Sequence, residues 1–585
     1  MSTPITLTID GTSVTVPEGT TIMEAAATLG IHIPHLCYHP WLSTPGSCRV
    51  CVVDVREMGH YLPACSQRVW EGMEVRTHSP EIRQARRDIV ELLIDNHPMD
   101  CQTCERDGRC ELQNLAYSLG VRTRLFAGER KRRPMDTSSV AVVRDPEKCV
   151  LCGRCVRVCA EVQGVYNLGQ QYRGFRTVVT PAGERGMDES VCIWCGQCVN
   201  VCPTAAFLEK SHVLSVFDAL NDPTKHVVVQ TAPSIRSAIG EGFGLPAGTP
   251  ATGRMITALR RLGFHKVFDT DLGADMTILE ESNELLKRLR GEGPLPMFTS
   301  CSPGWIAYLE KFYPGLIPHA STCRSPMMMI SVLTKTYYAR QAGIDPRNIV
   351  MVSIMPCTAK KFENARPEHR SPDGYGWNDH VMTTRELIWM IKSYGIDFNA
   401  LEEGRFDEPL GTATGAGDIF GITGGVMEAT LRTAGERLTG SPQRLEFTEV
   451  RSVHGLLEAK VALGERVLNI AVANGLANAR KVLEEVAAGT KRFDVVEVMA
   501  CPGGCSGGGG QPYPYSIAGT NILDPDLLWK RGEALHRIDE SKDLRRSHEN
   551  PAARRIYEEF LGEIGSPLAC ELLHTHYQAR LPRGI

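Results

Sequence analysis

Fifteen of the 21 cysteines in this 585-residue chain stand within its first 202 residues, in four groups with ligand-like spacing. A chain whose thiols stay reduced cannot hold so many as disulfides, so their density points to metal. The spacing then says which metal. Cys149, Cys152, Cys155 and Cys159 follow Cys-x2-Cys-x2-Cys-x3-Cys, and Cys192, Cys195, Cys198 and Cys202 repeat the pattern just before Pro203. In paired runs of this kind, three cysteines of each hold one 4Fe–4S cluster and the fourth crosses to the other. Cys149, Cys152, Cys155 and Cys202 are therefore expected on one cubane, and Cys192, Cys195, Cys198 and Cys159 on the second. Zinc ribbons are the competing reading; two four-cysteine runs with a trailing Cys-Pro speak against them. This part of the chain is built to move electrons.

The chain is longer than one core usually organises, so several domains are expected. No apolar run approaches the length of a membrane span. A net charge of −4 gives no reason to expect nucleic acid. The first ten residues carry neither a basic stretch nor an apolar leader. A cytoplasmic location is the expectation.

Residues 5–16 alternate with period two around Asp10-Gly11, a β-hairpin signal. A helix is expected at Thr21–Leu29, followed by Cys37, Cys48, Cys51 and Cys65. This order resembles the plant-type 2Fe–2S ferredoxin, a β-grasp fold. Its long first gap matches the variant at the start of the respiratory complex I electron-input subunit. His97, Cys101, Cys104 and Cys110 come next and resemble that subunit's 4Fe–4S site with one histidine ligand. A neutral imidazole in place of a thiolate raises a cluster's potential. The basic stretch Arg130–Arg133 reads as an exposed connection into the two-cluster domain, which is similar to bacterial ferredoxins.

From about residue 212 the texture becomes alternating strand-like and helical segments, as in α/β layers. Val227–Ser234 reads as a buried strand running into a loop. Only Cys301, Cys323, Cys357, Cys501, Cys505 and Cys570 remain. They sit in Cys301-Ser302-Pro303-Gly304-Trp305, in Met355-Pro356-Cys357 with Lys360 and Glu363 after it, and in Cys501-Pro502-Gly503-Gly504-Cys505. These segments look like the three signature motifs of the iron-iron hydrogenases, which interconvert protons and dihydrogen. The expected fold is thus multidomain α+β: a β-grasp 2Fe–2S domain (1–78), a His/Cys3 4Fe–4S domain (79–135), a two-cluster ferredoxin domain (136–211) and a large α/β catalytic domain (212–585).

That resemblance implies an H-cluster, a 4Fe–4S cubane joined through a cysteine sulfur to a di-iron unit carrying CO, CN⁻ and an azadithiolate. It makes Cys357 and Cys501 cubane ligands and Cys505 the bridging one. Lys360 would donate to a cyanide. Ala232, Pro233, Ser234, Ser325, Met355, Phe420 and Met499 would line a dry pocket, and the glycines at 503, 504 and 507–510 would allow backbone close to an inorganic ligand. Cys301 would be the acid–base thiol. A helix is expected over Met276–Arg290, where Glu281, Glu284 and Arg288 share one face. Such a face is ordinarily solvated surface; the resemblance instead makes it, with Ser321, a proton relay to Cys301.

Three positions depart from the family's commonest pattern. Ser302 stands where a cubane-ligating cysteine is usual, Cys323 where a small residue is usual, and Met327 where glutamine is usual. The fourth cubane ligand is then Cys323, favoured, or Cys301 or Ser302, the last offering a harder oxygen, or the cubane keeps an open iron. Cys570 reads as a core residue.

No Gly-x-Gly-x-x-Gly turn follows a strand; Gly240-Glu241-Gly242-Phe243-Gly244 lacks the spacing. Pyridine nucleotide therefore falls to other subunits, flavin- and 2Fe–2S-binding partners like the complex I input subunits. A multisubunit enzyme, NAD(P)-linked or electron-bifurcating, is favoured over a stand-alone ferredoxin hydrogenase. A scaffold lacking the di-iron unit, for electron transfer or cluster assembly, is the reading from another class.

Overall fold

Seven hydrophobic clusters organise the described residues, in the computed structural model that describes residues 3–126, 128–453, 455–513 and 523–580. Strands β1 (Pro4–Ile9) and β2 (Thr12–Pro17) pair antiparallel, with Ile9 opposite Thr12. Asp10 and Gly11 between them both take positive φ, as a two-residue type I′ turn demands. β3 (Val52–Val55), β4 (Tyr61–Pro63) and β5 (Glu74–Arg76) complete a sheet of order β2-β1-β5-β3-β4. The helix Ile22–Thr28 begins at a capping box made by Thr21 and Glu24 and buries Ile22, Met23, Ala25 and Ala26.

Helices Pro80–Asp95 and Glu111–Leu119 then pack through Val90, Ile94, Leu112, Ala116 and Leu119. The basic connection after them is not free. Arg133 Nη1 reaches Glu184 Oε2 at 2.6 Å, and the Lys131 amide donates to Asn96 Oδ1. The two-cluster region pairs β6 (Val142–Arg144) with β9 (Phe207–Glu209) and β7 (Gly169–Gln171) with β8 (Val178–Thr180). Its internal repeat survives in the backbone. Short helices Arg154–Arg157 and Gln197–Val201 each follow a left-handed glycine, Gly153 and Gly196.

The remaining chain forms two four-stranded sheets. The first, β11-β10-β13-β14, is parallel throughout: β10 (His226–Thr231), β11 (Lys266–Asp269), β13 (Ile349–Met355) and β14 (His380–Thr383). The second, β12-β17-β16-β15, joins β12 (Met297–Phe298), β15 (Leu456–Leu463), β16 (Arg466–Asn474) and β17 (Val495–Met499), with only the β15–β16 pair antiparallel. The central strands read as nearly unbroken apolar runs because both their faces are covered.

Helix Thr270–Leu289 begins six residues before the predicted Met276, because Asp269 at the end of β11 caps it by accepting from the Asp271 amide. Cys570 is exposed, contrary to the core expectation. Helix Pro567–Leu573 turns Ala569, Leu572 and Leu573 inward and leaves Cys570 outside that stripe. Among the described residues no helix is long and apolar enough to cross a membrane.

Candidate active site

The catalytic segments share one topological address. Cys301 follows β12, Cys357 follows β13, Cys501 follows β17, and Ala232-Pro233 follow β10. Each loop leaves the C-terminal end of a parallel strand, where α/β sheets open a crevice for ligands. All of these loops line one cavity with about 790 Å³ of atom-free space. Its wall includes Cys301, Ser302, Cys357, Cys501 and Cys505, with Cys195 of the ferredoxin region on one side. Ala232, Pro233, Met355, Phe420, Met499 and Lys360 line it as expected, and Met327 joins them.

Ser234 and Ser325 are buried but are not among the lining residues. Gln511 donates toward Ser234 Oγ at 3.3 Å. Ser325 precedes the lining Pro326, and its buried hydroxyl has no partner in the protein.

Cys323 is the clearest correction. It is fully buried in the core with Met327, Met328 and Met329 and does not line the cavity. The isolated bridge it makes with His574 holds it beside the C-terminal segment. Cys301 and Ser302 do face the cavity, and Ser302 Oγ accepts the Ala500 amide at 3.3 Å.

The donor set fits a thiolate-bound cluster. Burial raises Cys357, Cys501 and Cys505, the last to about 12, so these thiols ionise only with compensation such as a metal supplies. The glycine-rich run chiefly lets protein backbone approach protein backbone. A Cβ at Gly508 would lie 2.2 Å from the Pro356 carbonyl oxygen, and one at Gly509 2.2 Å from that of Cys195. Only glycine there allows the third motif to pack onto the second and onto the ferredoxin region. Lys360 Nζ lies 3.2 Å from the Cys301 carbonyl oxygen and 2.7 Å from Glu363 Oε2.

Beside Cys301, helix Thr270–Leu289 presents its acidic face to the interior. Glu281 is 1% exposed, and the donors that act on its carboxyl are the Ser321 hydroxyl and the Ser300 amide. Burial, reinforced by the charge of Glu284, pushes it up to about 8. It therefore carries a proton at neutral pH. Burial also raises the Cys301 thiol, with Glu281 adding and Lys360 opposing. Ser321 Oγ donates to Glu284 Oε2 at 3.0 Å, and Arg288 Nη2 donates to Glu284 Oε1 at 2.6 Å. The expected relay members are thus gathered between the cavity and the surface.

Sequence reading missed the residues beyond them. The Thr322 amide and hydroxyl reach Glu284 Oε2 at 3.0 and 3.3 Å. His574 arrives from the far end of the chain, and its Nδ1 lies 2.8 Å from Thr322 Oγ1. The donor atoms of Glu284, Cys323 and His574 lie within 4.8 Å of one another. No spacing signal could have joined residues 252 positions apart.

Upstream, Cys159, Cys192, Cys195 and Cys198 line a second cavity, while Cys202 is not among its lining residues. Cys202 adds its charge to Cys149, Cys152 and Cys155, and also to Cys198. The Cys37 thiol is within hydrogen-bonding reach of Cys48 and Cys65, and Cys51 of Cys65. Burial lowers His97 to about 4, so its imidazole is neutral, and its buried Nδ1 has no protein partner. Cys101 and Cys110 each feel Cys104, which Lys148 Nζ approaches at 3.7 Å.

Thiol groups upstream of a cavity closed by three distant cysteines define an iron–sulfur oxidoreductase. Comparison with known proteins carries this to the family. Residues 225–509 match the C-terminal domain of the iron-only hydrogenase large subunit, and 525–580 match the iron hydrogenase small subunit. Residues 2–80 match a 2Fe-2S cluster binding domain, 86–124 the iron-sulfur region of NADH-ubiquinone oxidoreductase-G, and 148–206 a 4Fe-4S dicluster domain.

The chain is 46% identical to the NADP-reducing hydrogenase subunit HndD of Solidesulfovibrio fructosivorans, covering 98% of this chain and 99% of that one. It is 40% identical to iron hydrogenase 1 of Clostridium pasteurianum, covering 98% and 100%. Apo iron-iron hydrogenase HydA1 from Chlamydomonas reinhardtii superposes with a TM-score of 0.56 at 46% identity, covering 63% of this chain and 99% of that structure. The chain belongs to the iron-iron hydrogenases, oxidoreductases acting on dihydrogen at an H-cluster, and carries 2Fe–2S and 4Fe–4S domains before it.

Proposed function

We propose that the chain is the hydrogen-handling subunit of a multisubunit, NAD(P)-linked hydrogenase. The observation that carries this is the single apolar-walled cavity on which Cys357, Cys501 and Cys505 converge, with Cys195 on its wall. Cys357, Cys501 and Cys505 would hold the cubane, with Ser302 at the fourth position, and Cys505 would bridge to the di-iron unit. When bound, the di-iron unit with its CO, CN⁻ and azadithiolate ligands supplies the chemistry that cleaves or forms dihydrogen. The protein's own contribution is a dry wall and a proton route. Cys301 keeps a neutral thiol at the cavity, Glu281 holds its proton at neutral pH behind it, and Ser321, Glu284 and Arg288 extend the route outward. Lys360, beside Cys301, places its positive charge at the wall where a cyanide would lie.

Electrons would leave through a 4Fe–4S cluster on Cys159, Cys192, Cys195 and Cys198 and one on Cys149, Cys152, Cys155 and Cys202. Beyond these are a 4Fe–4S cluster on His97, Cys101, Cys104 and Cys110 and a 2Fe–2S cluster on Cys37, Cys48, Cys51 and Cys65. Arginines tie these stations together. Arg157 Nη2 donates to the carbonyls of Cys37 at 2.6 Å and Cys152 at 3.4 Å, and Arg106 donates to that of Cys202. Partner subunits binding flavin and a further 2Fe–2S cluster would receive the electrons and handle the nucleotide; ferredoxin is the alternative acceptor.

Infrared spectroscopy of the purified chain should show CO and CN⁻ stretching bands. The same preparation should reduce viologen with hydrogen but fail with NAD⁺ or NADP⁺ until partner subunits are added. Absence of the bands would leave a non-catalytic scaffold, and direct nucleotide reduction by the single chain would remove the need for partners.

A further inference from the structure

We propose that His574 is the outer port of the proton route, exchanging protons between solvent and Glu284 through the hydroxyl of Thr322. This rests on the relay reading above and extends it into the segment that matches the hydrogenase small subunit.

Both ring nitrogens of His574 are engaged. Nδ1 lies 2.8 Å from Thr322 Oγ1, and Nε2 lies 3.3 Å from Glu280 Oε2. Glu280 is fixed by the Tyr557 hydroxyl at 2.6 Å and the Gly565 amide at 3.2 Å. The His574 side chain keeps 16% of its surface in solvent and that of Glu284 15%, Thr322 between them is exposed, and Glu280 behind His574 keeps 1%. Thr322 Oγ1 donates to Glu284 Oε2 at 3.3 Å. The chain of donors therefore runs from His574 through Thr322 to Glu284, which is the direction of inward delivery.

The proton count closes without any co-reactant. Imidazolium Nδ1–H passes its proton to Thr322 Oγ1, and the Thr322 hydroxyl proton moves to the Glu284 carboxylate. The imidazole, now neutral and still carrying Nε2–H, swings Nδ1 away from Thr322 to take a proton from water, and the Thr322 hydroxyl turns back to Glu284. For hydrogen uptake the hydroxyl turns and each transfer reverses. Imidazole suits this task because one ring nitrogen can accept a proton while the other donates.

The test is hydrogen evolution by the reconstituted holoenzyme in dilute, non-imidazole buffer. His574→Ala should slow turnover roughly tenfold, with iron content and CO/CN⁻ bands unchanged. Added imidazole should restore the variant and leave the wild type unaffected. Thr322→Val should show the same loss, whereas His576→Ala, exposed two residues on, should not. A His574→Ala enzyme with intact clusters and wild-type turnover in dilute buffer overturns the proposal, as does a loss that imidazole cannot repair. Should His574→Ala lose its clusters, Thr322→Val decides: wild-type turnover overturns the proposal, and a loss repaired by concentrated buffer supports it. If Cys301→Ala itself keeps turning over, the relay reading has failed rather than the port.

Discussion

Arg288 Nη2 stands 2.6 Å from Glu284 Oε1, one turn back along the same helix. The guanidinium also donates to the carbonyls of His319 at 2.9 Å and Ala320 at 2.8 Å, just before Ser321. One side chain thus ties the acidic helix to the segment that carries the hydroxyls of the relay. Arg288→Ala should cost about 2–4 kcal/mol by leaving Glu284 and two carbonyls short of partners, and should slow turnover as well. Arg288→Lys should recover part of the stability but not the geometry, because lysine lacks the planar fork. Denaturant midpoints and hydrogen evolution rates check both.

Glu281 links pH to stability. It binds its proton more tightly in the folded chain, at about 8, than at its ordinary value of 4.5. Its contribution therefore favours the fold fully below about pH 4.5 and is lost as pH rises through about 8, by on the order of 5 kcal/mol. Glu281→Gln should remove that loss. Anaerobic unfolding should show the variant gaining on the wild type between pH 5 and 9 while its turnover falls a hundredfold or more.

Cys301→Ala should reduce turnover by a similar or larger factor, because it removes the cavity-lining thiol on which the Glu281 charge acts. Iron content and infrared bands should stay as in the wild type. Near-normal rates with artificial acceptors would show that the proton enters elsewhere.

Cys323→Ala should leave the cubane intact, since Cys323 lies in the apolar core and off the cavity wall. The full enzyme should carry roughly 20 iron atoms, and so should this variant. Loss of the cubane signal together with the infrared bands would return Cys323 to the ligand role.

His97→Cys should lower the potential of its cluster, because a thiolate adds negative charge where a neutral imidazole stood. A redox titration followed by electron paramagnetic resonance would read the shift. An unchanged potential would mean that His97 is not a ligand.

Much of this molecule was legible before any fold was known, because cluster ligation is a local demand. Cys149, Cys152 and Cys155 lie within seven residues, and their spacing already dictates a loop that wraps a cubane. The hairpin at Asp10-Gly11 was equally local, since two positive φ values need those residue types. The three hydrogenase motifs could be read as signatures, though nothing within them says that β12, β13 and β17 deliver them to one cavity.

What the tertiary structure alone decided is long-range. Cys323 looked like a replacement ligand because a cysteine stands there where a small residue is usual, near a lost one. Packing of the C-terminal segment carries it into the core instead. Cys570 looked internal by composition and lies outside because the apolar stripe of its helix runs through Ala569, Leu572 and Leu573. His574 reaches Thr322 only because the end of the chain folds back across helix Pro326–Leu333. Local chemistry is written in spacing; a contact between residues 252 positions apart is set by which apolar faces bury against each other, and a single sequence does not display that pairing.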